Sequence, residues 1–123
     1  MLSVAVLSFA VVVLLGAALA IQIMRRPIQP PPRLLAWLHG IAALLSYGAL
    51  VDALIAGPPR GVATGTRSFG ITAAILLLVA AAIGLLGLLL HCRRQRMPGI
   101  AIGVHASVAI FGYVILAVYL LAG

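Results

Sequence analysis

Two stretches decide the fold: Pro32–Gly57, PRLLAWLHGIAALLSYGALVDALIAG, and Pro98–Gly123, PGIAIGVHASVAIFGYVILAVYLLAG. Each opens on a proline and runs on almost without charge. Each exceeds the roughly 20 residues that a helix needs to cross hydrocarbon. Both read P-x6-H-x7-Y, so Pro32, His39 and Tyr47 fall on Pro98, His105 and Tyr113. In a chain that is 65% hydrophobic, matched leucines and alanines cost little, but a matched Pro, His and Tyr at fixed spacing is not cheap.

The match extends upstream. Arg25-Arg26 aligns with Arg93-Arg94, and Gly16 then falls on Gly84; a two-residue slip in the first loop brings the prolines and histidines into line. Ala43 pairs with Ala109 and Leu50 with Leu116. The chain therefore reads as one helical hairpin used twice, with repeat halves 1–57 and 67–123. Four spans are expected, at about 2–24, 34–56, 70–91 and 100–122. Gly57-Pro58-Pro59 is a stop signal for the second, and Ser68 an N-cap for the third. Prolines before the second and fourth spans suit helix starts. The connections are short, so neighbouring helices run antiparallel. The fold class is an all-α membrane protein, an up-down-up-down four-helix transmembrane bundle built from a duplicated hairpin.

Composition agrees. Only 7% of the 123 residues are charged, against about a quarter in soluble domains. Lipid leaves only helices or a closed barrel for a spanning chain, and the apolar runs lack strand-like alternation. The net charge of +7 comes from eight arginines, no lysine and one acid, Asp52. These arginines sit in short loops between apolar runs, which is a membrane pattern and not a nucleic-acid surface. Cys92 is the only cysteine, so neither an internal disulfide nor a c-type haem attachment motif exists. The first apolar run is too long and wrongly flanked for a signal peptide, and reads as a retained helix. Arg25, Arg26, Arg33, Arg93, Arg94 and Arg96 flank one end of the bundle, and only Arg60 and Arg67 the other. Six against two places both termini on the non-cytoplasmic side, in a membrane of the bacterial inner type.

A histidine inside hydrocarbon is a functional candidate. His39 and His105 lie at one depth, about five residues (roughly 8 Å) inside the arginine-rich end. In an up-down bundle they occupy diagonal helices, whose axes stand of order 13 Å apart when neighbours pack at 8–10 Å. Two imidazoles facing across that gap can hold an iron porphyrin between them, filling both axial positions and favouring electron transfer. Ala42, Ala43 and Ser46 beside His39, and Ala101, Ala109 and Gly112 beside His105, leave room for a flat macrocycle, with Gly16 and Gly84 admitting its edges. Small residues equally allow close helix packing. Arg33, Arg93, Arg94 and Arg96 share the histidines' membrane face and could pair with haem propionates. His91 aligns with Ile23 and reads as interfacial, with a propionate or electron-acceptor contact as the alternative. Tyr47 and Tyr113 read as midplane packing, Trp37 as an interfacial anchor, and Asp52 as a partner for Arg60 or Arg67.

Around Trp37-Leu38-His39-Gly40 and Gly103-Val104-His105-Ala106 the chain resembles small four-helix b-type membrane cytochromes, broadly of the cytochrome b561-like group. That resemblance implies haem b held between histidines of different helices and electron exchange with quinols or other carriers. One matched histidine pair implies one haem. The expected function is thus a membrane electron-transfer cytochrome with metal ligands His39 and His105, exchanging electrons with quinone or serving a larger oxidoreductase. The rivals are a cofactor-free accessory subunit of a membrane complex and, further off, a small transporter. No second acid, nucleophile–base pair or phosphate loop suggests hydrolytic or transfer catalysis.

Overall fold

The computed structural model describes residues 1–26, 28–57 and 67–122. Four helices account for nearly all of them: α1 (Leu2–Arg25), α2 (Arg33–Ile55), α3 (Arg67–Cys92) and α4 (Gly99–Ala122). All four are long and apolar enough to cross a membrane, and the protein is an all-α membrane bundle. The helices pack in a ring: α1 meets α2 and α4, and α3 meets α2 and α4. This leaves α2 and α4 on one diagonal and α1 and α3 on the other.

Helix ends follow local chemistry. The Pro32 N-cap is extended, with φ −60° and ψ 121°, and cannot itself donate to the turn before it. α3 ends in a Schellman arrangement, in which Gln95 N–H donates to the Leu90 carbonyl at 2.8 Å and Arg94 N–H to that of His91 at 3.0 Å. That geometry needs a left-handed residue, and Arg94 supplies it at φ 57°. Ser68 is not the N-cap expected from sequence. It lies inside α3, where its carbonyl accepts from the Thr72 hydroxyl at 2.8 Å. Arg67 before it is already helical, so the apolar run marks the span but not the helix start.

The sealed core is confined to one half of the bundle. It comprises Ala5, Val6, Phe9 and Val12 of α1, Ser46, Leu50 and Ala53 of α2, Gly70, Ala73, Leu77 and Ala80 of α3, and Gly112, Leu116 and Tyr119 of α4. In repeat register twelve of these fourteen residues pair off, all but Val6 and Gly70: Ala5 with Ala73, Phe9 with Leu77, Val12 with Ala80, Ser46 with Gly112, Leu50 with Leu116, and Ala53 with Tyr119. The duplicated pattern thus produces a duplicated core. Tyr47 and Tyr113 pack on its edge. Leu7, Leu14, Leu44, Leu45 and Phe111 face outward, as expected where the solvent is lipid.

Candidate functional site

The core stops at the same level in both copies. Above Val12, Ser46, Ala80 and Gly112, towards the arginines, no described residue of the four helices is fully buried. His39 and His105 sit on this open side of the boundary, and both are half-buried. Each is held by the preceding helix of its own hairpin. His39 Nδ1–H donates to the Val12 carbonyl oxygen at 3.0 Å, and His105 Nδ1–H to that of Ala80 at 2.8 Å. Val12 and Ala80 are repeat partners, so the contact is made twice by the same geometry.

The glycines explain how each ring reaches its carbonyl. A β-carbon on Gly16 would lie 3.0 Å from His39 Cε1, and one on Gly84 would lie 2.9 Å from His105 Cε1. Each imidazole therefore lies edge-on against bare backbone. The structure thus gives Gly16 and Gly84 a role that the sequence did not suggest: they receive the histidine rings themselves. Gly112 likewise receives a side chain, since a β-carbon there would lie 2.9 Å from Leu77 Cγ.

The carbonyl partners also fix the tautomer. A carbonyl oxygen only accepts, so Nδ1 carries a hydrogen, and in the neutral ring the lone pair is then on Nε2. Nε2 lies across Cε1 from Nδ1, 3.8 Å from where a β-carbon on Gly16 or Gly84 would stand. Neither Nε2 has a hydrogen-bond partner among the described residues. Neither is sealed off, because the buried nitrogen without a partner is His91 Nε2. The two rings, from diagonal helices, stand with centroids 6.1 Å apart and planes at 80°.

The centroid separation can be compared with that of two imidazoles sharing one metal. With metal–nitrogen bonds of about 2.0 Å and roughly 1.1 Å from ring nitrogen to ring centre, two trans imidazoles on one metal have centroids about 6.2 Å apart. Backbone carbonyls on the far nitrogens are the usual way to orient metal-bound histidines. Among the described residues no group of three or more His, Cys, Asp or Glu could hold an ion. A metal at this place would thus have at most two such ligands among the described residues.

The arginines stay at the rim. Arg33 opens α2, Arg93 and Arg94 follow α3, and Arg96 lies in the last loop; all four are exposed. The Arg96 guanidinium donates to the Ile28 carbonyl, tying the loop after α3 to the loop after α1. Asp52 is exposed and forms no ion pair with Arg67, while Arg60 lies outside the described residues. Two contributors escaped the sequence reading: Tyr119, buried against Gly70, and the carbonyls of Val12 and Ala80. The carbonyls leave no trace in residue identity, although the glycine one turn after each was visible. No protein-family model matches the chain, and no curated protein or solved structure matches it.

Proposed function

We propose that the protein is a membrane electron-transfer cytochrome binding one haem b through His39 and His105. The carrying observation is the pair of carbonyl-bonded imidazoles from diagonal helices, with centroids 6.1 Å apart and planes at 80°, placed where the sealed core ends. A bound haem would supply one-electron chemistry at an iron with both axial positions filled. The chain's own part is to present two neutral imidazoles with their lone pairs free, hold them by Val12 and Ala80, and surround them with apolar helices. Ala42 and Ala43 pack against the sealed core below His39, and Ala101 and Ala109 are half-buried one turn either side of His105.

Arg33, Arg93, Arg94 and Arg96 form the cationic rim that the cofactor's acidic groups would face. The arginine count puts that rim on the cytoplasmic side, with both termini opposite, in an inner membrane of bacterial type. The electron partner is a quinone or a subunit of a larger oxidoreductase. A reduced-minus-oxidised spectrum of the purified protein tests the proposal. A sharp α band that disappears in both His39→Ala and His105→Ala supports it. A wild-type protein that takes up no haem when supplied with it removes it.

A further inference from the structure

His91 is the polar group that the proposed ligation leaves unused. It lies in the last turn of α3, seven residues beyond Gly84, which is two turns or about 10 Å along the axis and nearly the same angular position. Gly84 is where the His105 ring rests. Between them on this face, Gly87 lies beneath the Met97 thioether and Leu88 meets Gly40 of α2. His91 therefore continues the packed, inward face of α3 from the histidine pair towards the arginine end. Its Nε2 is buried and has no hydrogen-bond partner among the described residues. Buried polar atoms are nearly always paired, and an orphan needs a reason. The repeat partner of His91 is Ile23, so the duplication did not impose an imidazole here.

We propose that His91 Nε2–H is the hydrogen-bond donor for a carboxylate of the cofactor held by His39 and His105. This inference rests on the haem reading and assigns the acidic edge of that cofactor to the α3–α4 hairpin. It separates His91 from the arginines, which are exposed and can meet only charge that reaches the rim. A donor on the carboxylate draws negative charge away from the metal and favours the reduced state.

The test compares midpoint potentials of the reconstituted full-length protein with haem b and with its dimethyl ester, which lacks the carboxylates. His91→Phe removes the donor and fills the volume, and His91→Gln keeps an N–H. With haem b, His91→Phe should retain the low-spin spectrum and shift the reduction equilibrium three- to tenfold towards the oxidised form, about 30–60 mV for one electron. His91→Gln should stay near wild type, and with the ester the wild-type and Phe proteins should agree. An unchanged potential in the Phe variant, or a difference that persists with the ester, overturns the inference while leaving the haem reading standing. Wild-type protein that binds neither porphyrin overturns the haem reading instead. If His91→Phe does not accumulate, His91→Leu carries the same comparison.

Discussion

Adding one methyl group at Gly84 probes the site without disturbing the fold. The new β-carbon would lie 2.9 Å from His105 Cε1, whereas ordinary contact begins at 3.4 Å, so the ring must retreat by about 0.5 Å. A retreat along the hydrogen bond would stretch the 2.8 Å contact to Ala80 to about 3.3 Å, beyond the usual limit of about 3.2 Å. At Gly16 the corresponding retreat is about 0.4 Å, taking the 3.0 Å contact to Val12 to about 3.4 Å. A lost hydrogen bond costs about 0.5–1.5 kcal/mol net, and alanine returns about 0.8–1 kcal/mol over glycine inside a helix. Stability should hardly change. The aim of the ring should change, and loss of the partner that orients a metal-bound histidine costs about 10–100-fold in affinity. Haem titration with thermal unfolding in detergent separates the two effects. Unaltered haem affinity in the Gly16→Ala, Gly84→Ala double variant would refute the reasoning.

The core makes its own predictions. Leu50→Ala and Leu116→Ala each empty a fully buried position and should cost about 2–5 kcal/mol. Their repeat equivalence predicts similar losses, checked by unfolding in mixed detergent. Gly70→Ala sets a β-carbon 2.8 Å from Leu54 Cδ2 and 2.9 Å from Tyr119 Cε1, and should cost about 1–3 kcal/mol. Gly103→Ala, with nothing within 4 Å, should instead gain up to about 1 kcal/mol. Cys92 is exposed at the arginine end, so a membrane-impermeant maleimide should label it in inverted vesicles and not in intact cells. The reverse pattern would invert the proposed topology.

The bundle was legible because its signals are long and redundant. Each apolar run is a full span, and the Pro–His–Tyr register repeats, so helix number, ring order and the diagonal pairing of His39 with His105 followed without fine detail. The start of α3 at Arg67 was not legible, since a polar first turn looks like loop until backbone bonding is seen. The glycines were found for an incomplete reason. Sequence shows where a β-carbon is missing but not which neighbour moves in, and here the histidine edge does. Backbone acceptors such as the Val12 and Ala80 carbonyls carry no residue signature at all. The half-bundle distribution of the sealed core was equally hidden, because alanine and leucine are as frequent above the histidines as below them.

Low-temperature electron paramagnetic resonance of the ferric protein is the most direct test of whether one iron joins His39 and His105. Imidazole planes 80° apart leave the iron's two π-bonding orbitals nearly degenerate, so a single, highly anisotropic low-spin signal is expected, at one haem per chain. A high-spin signal, a rhombic signal of nearly coplanar imidazoles, or a low-spin signal that survives His105→Ala would contradict it.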